Sequence, residues 1–158
     1  MGTLAKQLEK AKQLTPQQIS NNLFDFLKSI QKEIVEINKK QVHEESKDIF
    51  DKALGFYSEA TEYITTNNAL LGKGNKIKKA GDPFDAEDTG DFLKGFYVQI
   101  NNAEMKFGSR DPKTEIILNS EHWNSEELFG LSDKDLRELI KTRLLPFVLN
   151  NIKKELDV

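Results

Sequence analysis

The sequence predicts an α+β domain in which a long N-terminal helix and a C-terminal helix pack on a small antiparallel sheet. Three observations support this: an amphipathic helical pattern near the N-terminus, a second one near the C-terminus, and a β-hairpin pattern at about residues 96–107. At 158 residues the chain has the length of a single domain, which we assign to residues 1–158. Hydrophobic residues make up 37 % and charged residues 31 % of the chain, with a mean hydropathy of −0.59. Such a polar composition is typical of soluble proteins and allows surfaces that become buried only on assembly.

The N-terminal helix is predicted to begin at Thr15. Thr15 can cap the first free amides, Pro16 suits the first helical position and Gln18 completes a capping box. The residues that follow form one apolar stripe at three- and four-residue steps: Ile19, Leu23, Phe26, Leu27, Ile30, Ile34 and Ile37. We expect this helix to end between Asn38 and His43.

Residues 1–14 precede that helix without a cap of their own. Leu4, Leu8 and Leu14 have loosely helical spacing. We interpret this segment as a flexible N-terminal arm that becomes ordered against a neighbouring subunit, with Leu4 and Leu8 as contact residues.

The middle third of the chain has a mixed pattern. A short helix is predicted over Ile49 to Leu54, followed by an exposed loop over residues 65–82 that is rich in glycine and asparagine. Lys73, Lys76 and Lys78 belong to this loop, and we interpret them as solvated side chains that could contact a phosphate or an acidic partner. Loops this long are either functional or disordered, so the loop is either a contact arm or a mobile insertion.

The hairpin pattern is the clearest local signal in the sequence. Phe96, Val98 and Ile100 alternate with polar residues, and Ala103, Met105 and Phe107 do so again after a turn at Asn101 and Asn102. Asparagine tolerates the positive φ of a two-residue turn. This turn predicts the pairs Ile100 with Ala103, Val98 with Met105, Phe96 with Phe107, Tyr97 with Lys106 and Gln99 with Glu104.

A third strand is predicted after the hairpin, over Thr114 to Leu118, behind a turn cluster that contains Pro112. The segment that follows, with the sole tryptophan Trp123 and with Phe129, is predicted to be a short helix or turn that covers the sheet. Either aromatic residue could instead anchor a partner.

The C-terminal helix is predicted to begin at Ser132, which can cap it, with Asp133 and Asp135 in the first turn. Its apolar face comprises Leu136, Leu139, Ile140, Leu144, Phe147, Val148 and Ile152. Pro146 lies inside this pattern, so we expect a kink or a restart there.

Four segments of the chain resemble small structural proteins of tailed bacteriophage virions. They are YSEATEYI at 57–64, GDPFDAEDTGDFLKGFYV at 81–98, FGSRDPKTEIIL at 107–118 and LFGLSDKDLRELI at 128–140. As a set they resemble the tail-completion or head–tail connector type from phages and prophages of Bacteroidetes-like hosts. The DTG within the second segment also occurs in aspartic proteases, but those are nearly all β, whereas both ends of this chain are predicted to be helical.

The resemblance implies a non-enzymatic virion protein at the neck or head-proximal tail. It implies assembly into a homo-oligomeric ring with a portal, connector, tail tube or terminator protein, after synthesis in the host cytoplasm. The sequence agrees, since it has no apolar run of about 20 residues for a membrane span. Its net charge of −3 gives no general attraction for nucleic acid.

The sequence predicts no catalytic residues, no cofactor and no metal site. Nucleophilic catalysis by cysteine is excluded because the chain has none, and its two histidines, His43 and His122, lie in no catalytic signature. We interpret His43 as a solvated surface residue. Gly72 and Gly74 flank a lysine but lack the rest of a phosphate-binding loop.

An acidic segment from Asp82 to Asp91 is the best candidate for a cation. It resembles the start of a calcium loop, but Phe96 stands where that loop needs a glutamate. We predict instead a structural turn in which Asp88 and Thr89 bond to the backbone and Gly90 takes a conformation unfavourable to a β-carbon.

Two other function classes stay open at this point. One is a small cytoplasmic adaptor or protein-binding module that recognises a partner through its amphipathic helices. The other is a metal-assisted hydrolase that uses the Asp82 to Asp91 segment with His122.

Overall fold

The protein is a helical domain with one β-hairpin, in a computed structural model that describes residues 4–73, 76–87, 89–101, 104–121 and 123–156. Its helices are α1 Leu4–Gln13, α2 Pro16–Ser29, α3 Gln31–His43, α4 Glu59–Leu70, α5 Asp91–Lys94, α6 Thr114–Glu121, α7 Ser125–Leu128, α8 Asp133–Leu139 and α9 Leu145–Leu156. A π-helical turn, Ile140–Leu144, joins α8 to α9. Strands β1 Phe96–Ile100 and β2 Met105–Ser109 form a two-stranded antiparallel sheet. The α+β class and the helices at both ends are confirmed.

The predicted N-terminal helix is present as two consecutive helices. Thr15 caps α2 by accepting a hydrogen bond from the Gln18 amide at 3.2 Å, as predicted, and α3 ends at His43. The break falls at Ile30, directly after Ser29, whose hydroxyl donates to the Phe26 carbonyl at 2.6 Å. Such back-bonding by serine bends helices, which explains why one apolar stripe spans two helices.

The core consists of two clusters, one around Ile34 and the other around Val42 at the end of α3. The first joins the α2–α3 region to β1 and α8 through Leu27, Ile30, Ile34, Val98, Ile100 and Leu139. The second joins the end of α3 to α5, β1, α6 and α7 through Val42, Phe92, Leu93, Phe96, Leu118 and Leu128. The sheet therefore lies against the long helical pair, as the sequence predicts.

The hairpin is present, but the predicted register is wrong by two residues. Phe96 pairs with Ser109, Val98 with Phe107 and Ile100 with Met105, so the loop is longer than the predicted two residues. The Asn101 side chain accepts a hydrogen bond from the Glu104 amide at 3.0 Å, and the Asn101 amide donates to the Glu104 carbonyl at 3.1 Å. These bonds close a wider turn. Because the shift is even, the buried faces stay as predicted.

Glycine at position 108 explains the observed register. It lies opposite Tyr97, and a β-carbon there would be 3.0 Å from the Tyr97 hydroxyl oxygen and 3.1 Å from the nearest ring carbons. The absence of a side chain at Gly108 thus leaves room for this ring in the observed pairing. The Arg110 guanidinium lies over the same ring, 5.2 Å from its centroid.

Two predicted elements are wrong. The third strand at 114–118 is helix α6, because Asp111 and Pro112 start a helix: the Asp111 carboxylate accepts from the Lys113 amide at 2.8 Å. The predicted helix from Ile49 to Leu54 is a turn, in which the Asp48 carboxylate accepts from the amides of Phe50 and Lys52 at 2.8 and 2.9 Å.

The loop predicted over residues 65–82 is wrong in its first part, since Thr65 to Leu70 are the last turns of α4. Ser58 caps this helix by accepting from the Thr61 amide at 3.2 Å. Glu59 and Glu62 lie in its first turn, where the helix dipole favours negative charge. The loop proper therefore begins only after Leu70.

The C-terminal helix begins as predicted, with Ser132 accepting from the Asp135 amide at 3.2 Å. At the predicted kink the chain widens into the π-helical turn, where the Leu145 amide bonds to the Ile140 carbonyl five residues earlier. This wider turn lies directly before Pro146, whose ring is incompatible with a regular preceding turn. The Phe147 ring then stacks on Phe26 of α2 at a centroid distance of 4.1 Å.

Among the residues that the structure describes, none of the helices is both long enough and apolar enough to cross a bilayer.

Candidate functional site

The helix α4 has its apolar side directed away from the rest of the protein. Tyr63 is 71 % exposed and Leu70 is 80 % exposed, and Ile64 and Leu71 are each more than half exposed. At 100° per residue these four side chains fall on one side of the helix. We call them the α4 outer face.

The opposite side of α4 is polar and contacts the protein. The Thr65 hydroxyl accepts a hydrogen bond from the Lys78 amide at 3.1 Å, and the Glu62 carboxylate accepts from the Ala80 amide at 2.8 Å. Thr61 and Thr65 line a cavity of about 280 Å³ with Trp123 and Phe84. The usual arrangement of a surface helix, apolar side inward, is therefore reversed in α4.

Asp85 holds the segment beneath α4 in place. Its carboxylate accepts from the Lys78 ammonium at 2.6 and 2.7 Å, from the Lys76 ammonium at 2.9 Å and from the Tyr57 hydroxyl at 2.5 Å. We call these four residues the Asp85 cluster. Lys78, which the sequence assigned to a solvated loop, is only 8 % exposed at its side chain, so that assignment is wrong. Its ammonium also lies 5.2 Å from the centroid of the Tyr57 ring.

The charges in the Asp85 cluster shift its proton equilibria. Burial alone would raise the pKa of Asp85, but hydrogen bonds from Lys78, Tyr57 and Lys76 outweigh it and hold that pKa well below its usual range. Burial and the hydrogen bond to Asp85 raise the pKa of Tyr57. The hydrogen bonds to Asp85 and Glu87 raise the pKa of Lys76. The carboxylate is thus ionised and the phenol neutral across the physiological range.

Backbone bonds join the cluster to the start of α4. The Tyr57 amide donates to the Asp82 carbonyl at 3.0 Å, and the Gly81 amide donates to the Tyr57 carbonyl at 2.9 Å. Tyr57 directly precedes Ser58, the cap of α4. The Asp85 cluster therefore fixes the base from which α4 projects.

His43 lies beside this cluster. The sequence had predicted a solvated surface position for it instead. Its Nδ1 is 2.8 Å from the Asp85 carbonyl oxygen, and its Nε2 is 3.9 Å from a Glu87 carboxylate oxygen. Ligand atoms of His43, Asp85 and Glu87 lie within 4.8 Å of one another. Both Asp85 oxygens already contact lysine ammonium groups, and Glu87 contacts Lys76 at 3.2 Å. This arrangement fits an ion-pair network, because the carboxylate charge that a cation needs is already neutralised.

The other predicted site residues are dispersed. Leu4 and Leu8 lie exposed on α1, and Lys73 is exposed just after α4. Phe129 packs against Phe92 and Phe96, with ring centroids at 6.0 and 5.2 Å. Their contact roles stay predictions.

Trp123 lies edge-on to Phe84 at a centroid distance of 5.2 Å. Its indole donates to the Leu54 carbonyl at 3.4 Å. Packing within the domain is thus its observed role, and partner contact stays a prediction.

The predicted turn before α5 is described only in part. Gly90 has a φ of 81°, as predicted, and the Thr89 hydroxyl donates to the Asp91 carboxylate at 2.8 Å. Asp88, Asn102, Ala103 and His122 lie outside the described residues.

Sequence reasoning missed Tyr57, Asp85 and the α4 outer face. A signal for α4 was present, since Ser58 is followed by Glu59 and Glu62 in the pattern of a helix start. The contacts of Asp85 had no such signal, because they join residues 7, 9 and 28 positions apart across irregular backbone, where no helical or strand period relates them.

Comparisons of the chain with protein-family models, with curated proteins and with solved structures find no match.

Proposed function

We propose that this chain is a non-enzymatic structural subunit of a bacteriophage virion, at the neck or the head-proximal tail. Its copies form a ring that joins portal, connector, tail tube or terminator proteins during assembly. Two kinds of support bear on this proposal: the four sequence segments that resemble such proteins, and the reversed orientation of α4.

The α4 outer face is the observation that carries the proposal. Four large apolar side chains lie together in water, although apolar burial stabilises by roughly 25 cal/mol per Å². Contiguous exposed apolar surface of this kind marks contacts with other chains. Its polar inner side is satisfied by hydrogen bonds, so α4 has no alternative packing partner within the contacts described for it.

A second apolar surface supports the ring. Leu4 and Leu8 of α1 and Leu145 and Leu149 of α9 are about half exposed or more, and α1 packs against α9. We call these four residues the α1/α9 surface. A closed ring requires two different surfaces on each subunit, one of which meets the other on the next subunit.

The Asp85 cluster supports a structural rather than a chemical role. Its carboxylate is fully engaged by Lys76, Lys78 and Tyr57, and these contacts fix the base of α4. A general base would need to accept a proton near neutral pH, whereas the pKa of Asp85 is lowered well below that range. The cluster thus serves to position the assembly surface.

Negative-stain imaging of the purified chain over a concentration series tests the proposal. We expect annular particles of uniform diameter whose abundance rises with concentration. Particles that stay at the size of one 18.1 kDa chain at every concentration would contradict the ring and favour the adaptor, in which α4 recognises one partner protein.

A further inference from the structure

We infer that the cavity beneath α4 is a binding site for an uncharged aromatic molecule of one or two fused rings. The cavity lies between the inner side of α4, the loop that contains Phe84 and helix α6. Binding there goes beyond the proposed assembly role, which concerns the α4 outer face.

Aromatic side chains form much of the apolar wall of this cavity. Tyr57, Phe84, Phe92 and Trp123 line it, together with Ile117 of α6. The Phe84 ring stacks on Tyr57 at 4.5 Å and stands edge-on to Trp123 at 5.2 Å between centroids. Aromatic rings pack favourably on one another in offset-stacked and edge-to-face arrangements. A wall that contains four rings therefore favours a flat aromatic ligand.

The volume of the cavity sets the size of that ligand. It is about 280 Å³. A cavity of roughly 150 Å³ lined by apolar side chains holds one benzene ring, and pockets for drug-sized molecules begin at roughly 300 Å³. The cavity thus has room for one ring or for two fused rings.

The charged groups on the inner part of the lining are already paired. The Lys78 ammonium donates to both Asp85 carboxylate oxygens at 2.6 and 2.7 Å, and the Glu87 carboxylate accepts from the Lys76 ammonium at 3.2 Å. A charged ligand would lose its hydration without gaining a counter-charge there, which is costly. The paired charges therefore favour an uncharged ligand.

The other charged side chains in the described part of the lining have both signs. They are Asp111, Lys113 and Glu121, of which Lys113 and Glu121 are exposed. The Asp111 carboxylate accepts from the Lys113 amide at 2.8 Å. These residues select for neither sign of ligand charge, and the exposed pair marks the solvent side of the cavity.

Thr61 offers the ligand one hydrogen-bonding partner. Its hydroxyl lies 3.1 Å from the Ser58 hydroxyl, and a hydroxyl can donate one hydrogen bond and accept two. The Thr65 hydroxyl, by contrast, accepts from the Lys78 amide at 3.1 Å and donates to the Thr61 carbonyl at 2.9 Å. A single hydroxyl or N–H group on the ligand can therefore bond to Thr61.

Titration of the chain with 1-naphthylmethanol, followed by nitrogen–proton correlation NMR, tests this site. The probe is uncharged, with two fused rings and one hydroxyl. Trp123 is the sole tryptophan, so its indole N–H gives a single resonance from the cavity wall. We expect a saturable shift of this resonance with a Kd of about 1 mM or lower. The charged analogues 1-naphthoate and 1-naphthylmethylammonium should bind at least about tenfold more weakly.

Thr61→Phe, which adds a ring to the cavity wall, should weaken binding of 1-naphthylmethanol at least about tenfold. Ala60→Phe is the matched control, since Ala60 is exposed on the same helix and does not line the cavity. It should bind the probe like the wild type. The dispersion of the backbone resonances shows whether each variant keeps its fold.

Three results would overturn the inference. They are a wild-type Trp123 resonance that does not shift saturably, a charged analogue that binds as tightly as 1-naphthylmethanol, and a folded Thr61→Phe variant that binds like the wild type. If Thr61→Phe does not fold, the wild-type backbone amides decide: shifts centred on Thr61, Phe84 and Ile117 support the site, and shifts centred elsewhere exclude it. None of these readings depends on association, so the ligand site and the proposed ring can fail separately.

Discussion

Lys78 has a structural role, although its neighbours in the sequence are typical of a solvated loop. It follows a glycine-rich stretch and precedes Lys79, a context typical of open loops, yet its ammonium lies between the Asp85 carboxylate and the Tyr57 ring. A buried ammonium is tolerated only where a counter-charge and hydrogen bonds replace water. Asp85 supplies both, and the segment before it is thereby held against α4.

Replacing Lys78 by methionine should therefore destabilise the fold. The change removes the closest cation of Asp85 and leaves Lys76 and Tyr57 as its partners, so we expect a loss of about 1.5 to 3 kcal/mol in the free energy of unfolding, as for a lost hydrogen bond to a charged group. Urea denaturation of the variant and of the wild type measures this change in the free energy of unfolding. Lys79→Met is the matched control, since Lys79 is exposed, and should change the free energy by less than about 0.5 kcal/mol. Equal losses in the two variants would refute the structural role of Lys78.

Asp85 should also make the stability depend on pH under acidic conditions. Its folded-state pKa lies below the ordinary value of 3.8, so in the acidic range the unfolded chain binds a proton that the folded chain does not. The stabilisation from Asp85 is hence fully present above about pH 5 and is lost as the pH falls below about 4.

Asp85→Asn provides the comparison for this pH effect. The difference in unfolding free energy between the wild type and this variant should stay constant from pH 7 to pH 5 and shrink from about pH 4 downward. Urea midpoints at each pH give the difference. A gap that stays constant down to pH 2 would show that the Asp85 carboxylate has an ordinary pKa in the folded state.

At the scale of elements, the parts that the sequence predicts correctly are those with local causes. The cap at Thr15, the cap at Ser132 and the stripe through α2 and α3 depend on residues within one or two helical turns. The β-branched residues of 114–118 favour a strand, but the helix start at Asp111 and Pro112 makes this segment helix α6. The hydrogen bonds that start the helix therefore outweigh the β-propensity of this segment.

The hairpin register was wrong for a different reason. A two-residue turn and the observed wider turn bury the same alternating face, so periodicity could not distinguish them. The turn bonds of Asn101 and the fit of Tyr97 against Gly108 favour the wider form. Both depend on three-dimensional contacts that the pattern alone does not contain.

Engineered cysteine pairs can test the register directly, because the chain has no native cysteine. Gln99 and Lys106 are directly opposite in the observed sheet, whereas Gln99 and Glu104 were opposite in the predicted one. We expect the Gln99→Cys/Lys106→Cys pair to oxidise readily, because opposed residues lie within disulfide reach. The Gln99→Cys/Glu104→Cys pair should stay reduced under the same conditions, as measured by thiol titration. Preferential oxidation of the second pair would contradict the observed register.

At the scale of the whole molecule, the candidate site was the least predictable feature. The sequence of α4 contains both threonines and large apolar residues, and its periodicity does not reveal which side meets the protein. The hydrogen bonds of Thr65 and Glu62 to the segment at 78–80 determine that side. The apolar residues are consequently directed outward, on the side available to another chain.

The apolar residues of the chain are divided between the core and the surface. The two core clusters use apolar residues of α2, α3, β1 and the C-terminal helices, while the apolar residues of α4 and some of those in α1 and α9 remain exposed. The protein thus combines a modest core with apolar surface that remains exposed in the single chain. Such a distribution is typical of subunits whose final burial occurs in an assembly.

The weight-average mass of the wild-type chain, measured by light scattering beside the Leu70→Gln/Leu71→Gln variant, tests the central claim most directly. We predict that the wild-type mass rises above 18.1 kDa as the concentration approaches about 1 mM, a range that detects association free energies of about 4 kcal/mol, while the variant stays at the monomer mass. If the two masses rise together, or if neither rises, the α4 outer face is not the surface through which this protein assembles.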